Sequence, residues 1–367
     1  FFSTPTPPPP ILSGLVGSEM CIRDRVGGAE LGGTKCVLAV AESPTAIVKR
    51  IEISTETPVR TLKNIFGFFS NYKLHSIGVG TFGPIIIDRE SKDYGLLISE
   101  SKKGWKGTNL FTEFKNNFDI PINIDTDVNT AAIGEYNYGA GKSCQTLVYV
   151  TIGTGIGGGV LVSGKPHTGN FHLEMGHMQV PNPDNFKGIC RIHGDCWEGL
   201  ASGPAIEARW GVSPSELPES HKAWEKEAEV LASGIVSIIA NHSPDRIILG
   251  GGVMKQKHLF TVIRSKVAEI WNDYTPLVSP SELIVQPRIA SDSRITGAMV
   301  FQGSLLPALG VMLTPWAPRK EVLLGMGLTF LDTTYLLFFA KRQRMKPYHV
   351  FFNGLCYLAF VILVTVL

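Results

Sequence analysis

Residues 177–198 read H-M-Q-V-P-N-P-D-N-F-K-G-I-C-R-I-H-G-D-C-W-E, and the rest of the chain is interpreted outward from them. Cys190, His193 and Cys196 fall at C-x2-H-x2-C, with His177 thirteen residues before the first cysteine. Two thiolates and two imidazoles form the donor set of a closed tetrahedral zinc site, and a site with no open position is structural. The competing reading is two cysteines acting as small buried hydrophobes beside ordinary loop histidines. The spacing favours metal over a disulfide, and with it a reducing cytoplasm as the expected location. The other cysteines, Cys21, Cys36, Cys144 and Cys356, are scattered.

Upstream lies T-I-G-T-G-I-G-G-G (Thr151 to Gly159), with five glycines in nine residues between two apolar runs. Backbone N–H groups in such a loop can cradle anions, so Thr151, Gly153, Thr154 and Gly155 are expected at the phosphates of a nucleotide. A glycine-rich β-bulge is the alternative. A second loop, G-A-E-L-G-G-T-K (Gly28 to Lys35), offers Gly32 and Gly33 for close approach, the Thr34 hydroxyl and the Lys35 charge. It can equally be a tight hairpin with Lys35 solvated. Gly250-Gly251-Gly252 follows the apolar run Ile247-Ile248-Leu249, where a tight turn would admit a flat adenosine base or merely join strand to helix. Two phosphate loops around a polar, sugar-sized site held by zinc point to a sugar kinase.

Phosphoryl transfer to a hydroxyl needs a carboxylate to accept its proton. D-T-D-V-N (Asp125 to Asn129) supplies Asp127 at a strand end, with Asp125 as the local rival and helix capping as the plain alternative role. In E-M-G-H, Glu174 and His177 place a carboxylate three residues before an imidazole, a pair suited to sugar hydroxyls.

The 367 residues are enough for two cores. A hydrophobic content of 44% and a net charge of +2 exclude a disordered chain and nucleic-acid binding by bulk charge. Residues 26–306 alternate strands, helices and glycine turns. Cys36 to Val40, Ser76 to Thr81, Pro121 to Asp125, Leu147 to Ile152, Gly158 to Val162 and Asp245 to Leu249 read as strands. Thr130 to Tyr136 and Trp224 to Asn241 read as helices, the second on the spacing of Leu231, Ile235, Ile238 and Ile239. Such interleaving predicts α/β lobes with ligands at the carboxyl ends of strands. There is no long internal sequence repeat.

The ends differ in character. Residues 1–25 are a proline-rich leader without secretory features, and Ser13 to Arg25 resembles adapter read-through. Val322 to Ala340 and Tyr348 to Leu367 are each long enough to span a bilayer at about 20 residues per span. Asp332 in the first would cost about 2.5–3.5 kcal/mol at a helix centre. The basic loop Lys341 to Lys346 between them would put the preceding chain on the side away from ATP. Residues 307–367 are therefore expected to be a fused fragment dispensable for catalysis; a membrane association follows only if that tail is genuine.

Taken in order, these motifs resemble the ROK family of sugar kinases, especially its zinc-containing bacterial fructokinases, from about Gly27 to Leu306. G-A-E-L-G-G-T-K looks like the first phosphate motif, G-V-G-T-F-G-P (Gly78 to Pro84) a second block, and Asp125 to Glu135 the catalytic block with Asp127 as base. Cys190 to Glu207 is the most specific stretch. The resemblance implies an actin/hexokinase-like (ribonuclease H-like) α/β fold. Its lobes would cover 26–123 and 124–306, with the last helix, near 294–306, returning to the first lobe. It also implies ATP-dependent phosphorylation of D-fructose at the 6-position, a homodimer, and Mg²⁺ carried by ATP with Glu30 nearby through water. Sugar contacts would fall to Glu174, His177 and Glu198, with His177 meeting zinc through one ring nitrogen and sugar through the other. Two places depart from the family pattern. Glu100-Ser101-Lys102 stands where T-P-K is usual, and Ser291 to Gly297 matches poorly. Glucose, mannose or an N-acetylhexosamine are alternative substrates. A sugar-responsive repressor of the same family would carry a helix-turn-helix of roughly 60 residues before the motifs, where here only the leader stands.

Overall fold

The computed structural model describes residues 25–275, 279–289 and 293–303. The leader up to residue 24 and the apolar tail 307–367, with its two candidate spans, lie outside the described residues. Among the described residues no helix is long and apolar enough to cross a membrane.

Three antiparallel strands open the fold: β1 (Arg25–Leu31), β2 (Lys35–Ser43) and β3 (Ala46–Ser54). Helix α1 (Pro58–Phe69) leads to β4 (Leu74–Thr81), parallel to β1, and α2 (Leu110–Asn117) leads to β5 (Ile122–Thr126), parallel to β4. The sheet order is β3-β2-β1-β4-β5. After α3 (Asp127–Tyr138) the same plan recurs. An antiparallel set β6 (Thr146–Ile152), β7 (Ile156–Val162) and β8 (Lys165–Pro166) is followed by α4 (Trp197–Ala201), α5 (Gly203–Trp210) and α6 (Ala223–His242). Then β9 (Arg246–Gly250) lies parallel to β6, α7 (Leu259–Trp271) and α8 (Pro280–Leu283) follow, and β10 (Ile284–Val285) lies parallel to β9. The order β10-β9-β6-β7-β8 is the first sheet's order again. This is the duplicated α/β plan of the actin/hexokinase-like fold. The repeat lies in connectivity and pairing, and that is why no sequence period announces it.

Each sheet has its own apolar core. Leu38, Ile65, Phe69, Ile77, Trp105 and Phe114 are fully or almost fully buried around the first. Trp197, Trp224, Leu231, Ile235, Ile247 and Ile263 fill the second. The helix read from Trp224 to Asn241 is α6, and its buried face carries the predicted residues Leu231, Ile235, Ile238 and Ile239.

The two halves meet through α3 and the closing helix α9 (Ser293–Gly303). Helix α3 lies on β6 and β7, α9 lies on β1 and β4, and the two helices pack on each other. They touch backbone to backbone. A Cβ added at Gly297 would sit 1.6 Å from the Thr130 carbonyl oxygen, and one at Gly134 would sit 2.2 Å from that of Ser293. No side-chain rotation relieves such contacts, so Gly297→Ala is expected to destabilise the fold by about 1–3 kcal/mol. Urea melts would read this, and a midpoint within error of wild type would contradict the close approach.

Candidate active site

Asp127 is the first residue of α3, at the carboxyl end of β5. The helix starts three residues earlier than the hydrophobic pattern predicted, because the Thr126 hydroxyl caps it by accepting from the Asn129 N–H at 3.2 Å. Capping is thus the work of Thr126, and the Asp127 carboxylate is left to meet Arg294 Nη1 at 3.2 Å. Asp125 is closed away. It is 4% exposed, and its Oδ1 accepts from the Asn129 amide and the Thr126 N–H, both at 2.7 Å. Burial pushes it up to about 6, and no face of it is open to a sugar hydroxyl. Of the two carboxylates, Asp127 is the more exposed.

The first glycine loop is the tight turn joining β1 to β2. Gly32 N–H donates to the Lys35 carbonyl at 3.0 Å, while Gly33 faces open space. Thr55 secures the turn by donating its hydroxyl to the Gly32 carbonyl at 2.7 Å. Lys35 points along the sheet to Glu52 at 2.8 Å and is exposed. The cation that reaches the turn is Lys102, whose Nζ donates to the Gly33 carbonyl at 2.6 Å and the Thr55 carbonyl at 3.2 Å. Lys102 belongs to the Glu100-Ser101-Lys102 segment that departs from the family pattern. Ser101 donates to the Gly83 carbonyl at 2.6 Å, so this segment ties the first glycine turn to the Gly83-Pro84 turn.

The second glycine run divides in two. Gly153, Thr154 and Gly155 form the turn between β6 and β7, with Gly153 N–H donating to the Gly155 carbonyl at 2.9 Å. Gly157, Gly158 and Gly159 lie in β7. A Cβ there would strike Val128, Met175 and Asn129 in turn, at 3.0, 2.4 and 2.7 Å. Those three glycines let α3 and the Met175–His177 turn press onto the strand; only the first two sit at the hairpin tip. Gly250 pairs with Thr151 across the β6–β9 ladder, and Gly252 N lies 3.6 Å from where a Gly153 Cβ would be. The third glycine cluster therefore shares one sheet edge with the second, at the carboxyl ends of both strands.

Glu174 immediately precedes the short 3-10 turn Met175–His177, which abuts the start of β7: a Cβ on Gly176 would lie 2.0 Å from the Ile156 carbonyl. Glu198, in the first turn of α4, accepts from the Ile156 N–H at 2.9 Å. Both carboxylates thus border the second hairpin. Burial first, then the charges of Glu198 and Asp127, push Glu174 up to about 7. Sequence reasoning missed His172. It is buried, its Nε2 accepts from the Ile85 N–H at 3.1 Å, and its Nδ1 lies 3.5 Å from Glu174 Oε1. An acceptor Nε2 leaves the proton on Nδ1, facing Glu174 and the Leu173 carbonyl. The only sequence signal was a second histidine five residues before His177.

The four predicted metal ligands come together, with one donor atom from each within 4.8 Å of the others. His193 and His177 Nδ1 atoms are 3.3 Å apart, Cys196 Sγ is 3.5 Å and Cys190 Sγ 3.8 Å from His177 Nδ1, and Cys190 Sγ is 3.9 Å from His193 Nδ1. A tetrahedron built on ordinary zinc bond lengths has edges of about 3.3 Å between nitrogens and about 3.6 Å between nitrogen and sulfur. These four separations lie within about 0.3 Å of those edges, and the widest pair is within 4.8 Å, so the cluster could hold zinc. Glycines with left-handed backbone at 188 and 194 shape the knuckle, and Cys190 and Gly194 exchange backbone hydrogen bonds. Trp197, next to Cys196, donates its indole N–H to the Val230 carbonyl at 3.1 Å and anchors the loop to α6.

The ROK family model matches residues 26–302. The chain is 42% identical over 289 residues to a relative from Bacillus subtilis (strain 168), covering 77% of this chain and 97% of that one. It is 41% identical over 283 residues to the fructokinase of Zymomonas mobilis subsp. mobilis, covering 74% and 94%. Among solved structures, a ROK family glucokinase from Streptomyces griseus, determined with glucose and AMPPNP, superposes with a TM-score of 0.62 at 19% identity, covering 76% and 98%. The duplicated fold, the converging glycine turns and the Cys/His cluster thus belong to a chain that is a member of the ROK family.

Proposed function

We propose that this sugar kinase transfers the γ-phosphoryl group of ATP to the 6-hydroxyl of D-fructose, with Asp127 as general base. The observation that carries the reading is the place of Asp127, at a strand end between the two glycine turns, while Asp125 is sealed in. The hydroxyl oxygen bonds to the γ-phosphorus, its proton passes to Asp127, and the bond to the bridging oxygen breaks with its electrons remaining on ADP. Gly32, Gly33 and Thr34 on one side, and Thr151, Gly153, Thr154 and Gly155 on the other, hold the phosphates. Gly250 to Gly252 receive adenosine, and Mg²⁺ arrives with the nucleotide. The halves built on the two sheets act as lobes around this cleft. Fructose is favoured over other hexoses by the names of the relatives near 40% identity. A coupled ADP-release assay over fructose, glucose, mannose and N-acetylhexosamines tests this reading. Fructose should give the highest kcat/KM; a clear preference for another sugar replaces the substrate, and no turnover with any removes the reading.

Glu174, His177 and Glu198 form the proposed sugar side; His177 would hold zinc through Nδ1 and would keep Nε2 for a hydroxyl. The titration of Glu174 gives a testable consequence. Below its raised value near 7 the carboxyl carries a proton; above it the carboxylate accepts charge-assisted hydrogen bonds from sugar hydroxyls. Fructose affinity measured without nucleotide should therefore improve as pH rises through 7, by about threefold or more. Glu174→Gln should flatten this dependence, and an unchanged slope in the variant would assign it elsewhere.

A further inference from the structure

Ser291 to Gly297, the block that departs from the family pattern, contains Arg294, the partner of Asp127. Its guanidinium joins three pieces of the site. Nη1 donates to Glu30 Oε1 at 2.8 Å and lies 3.2 Å from Asp127 Oδ2, while Nη2 donates to the Thr151 hydroxyl at 2.9 Å. Glu30 stands in β1 just before the first glycine turn, Thr151 in β6 just before the second, and Asp127 at the head of α3 between them. One largely buried side chain thus touches the proposed base and the strand ends that carry both phosphate turns.

The arginine is itself held. Glu135 on α3 is completely buried and accepts four hydrogen bonds. Its Oε2 takes the Ala140 and Arg288 N–H groups at 2.7 and 3.0 Å, and its Oε1 the Ile289 N–H at 3.1 Å and the Ser293 hydroxyl at 2.6 Å. Ser293 is the neighbour of Arg294, and the glycine contacts of α9 on α3 leave that helix little freedom to slide. A planar fork on a fixed helix start sets distances that a flexible ammonium would not.

We propose that Arg294 is a positioning residue for phosphoryl transfer, fixing the Asp127 carboxylate relative to both phosphate turns. This rests on the sugar-kinase reading with Asp127 as base. Arg294 keeps its charge and moves no proton; the hydroxyl proton still goes to Asp127. Its contribution is to the alignment of base and acceptor hydroxyl with the γ-phosphorus, where small displacements have large effects on rate.

The test uses the full chain and whichever hexose the wild type turns over best. Arg294→Gln should lower kcat by about 100-fold or more, with KM for hexose and MgATP within about threefold. Arg294→Lys should fall between the two, because the charge remains and the fork is lost. Arg294→Ala should regain at least about tenfold in kcat on adding guanidinium at tens of millimolar, a rescue that a purely structural brace would not show. Melting temperatures of all three report on folding independently. An Arg294→Gln enzyme with kcat within threefold of wild type overturns the proposal. So does a loss of kcat that tracks a fall in melting temperature and resists guanidinium. A wild-type chain that phosphorylates no sugar overturns this proposal together with the reading beneath it, whereas an active wild type with an indifferent Arg294 overturns this proposal alone.

Discussion

Asp127→Asn is expected to lower kcat by about 10²–10⁴-fold while leaving fructose affinity within a few-fold. The amide matches the carboxylate in size and can still meet Arg294, so the helix start and the sugar pocket should survive. What it cannot do is accept the hydroxyl proton as the new O–P bond forms. The neighbouring carboxylate offers no substitute: Asp125 points inward, bonded to Asn129 and Thr126, and is almost without solvent access. Pre-steady-state and steady-state kinetics, paired with fructose binding by calorimetry, separate chemistry from affinity. An Asn variant with turnover near wild type would remove Asp127 from the mechanism. A variant that lost fructose binding by the same factor as turnover would instead make it a sugar ligand.

The pieces of this site were unequally legible in the sequence. The Cys190-His193-Cys196 spacing pointed to the cluster that the fold assembles, because a short knuckle is local. The strands and α6 followed from apolar periodicity for the same reason. The inward turn of Asp125 and outward turn of Asp127 could be guessed only as rivals, since the choice is made by Thr126, which caps the helix, and by the Asn129 amide, which holds Asp125. Reading Gly157 to Gly159 required knowing that Val128, Met175 and Asn129 press on β7 from elsewhere in the chain. Lys35 and Lys102 exchanged prominence because a strand residue's direction depends on its register, and β2 turns Lys35 toward Glu52. His172 and Arg294 gave almost no local signal. Their partners lie 87 and up to 264 residues away along the chain, distances over which only the fold creates proximity.

Removal of the metal should have the second large effect, and it should reach the sugar rather than the nucleotide. Purified protein is expected to contain about one zinc per chain, bound by His177, Cys190, His193 and Cys196. The cluster fixes two segments that bear proposed sugar ligands: the Met175–His177 turn, which Glu174 precedes, and the start of α4, where Glu198 follows Cys196 by two residues. In Cys196→Ser, or after chelation, the remaining side chains of the cluster lose their common partner, and the knuckle between Gly188 and Gly194 loses its cross-link. Trp197 still anchors α4 to Val230, so the second core should remain folded and the damage should stay in the loop. The expected signature is a loss of fructose affinity of about tenfold or more, with KM for MgATP nearly unchanged and a lower melting temperature that zinc restores in the chelated wild type. Because Glu198 also accepts from the Ile156 N–H at the second hairpin, some loss of kcat should accompany the loss of affinity. Folded, metal-free protein with normal fructose affinity would show that the four side chains form a structural cluster without a metal. Equal losses for sugar and nucleotide would place the effect of the loop in the whole cleft instead of its sugar side.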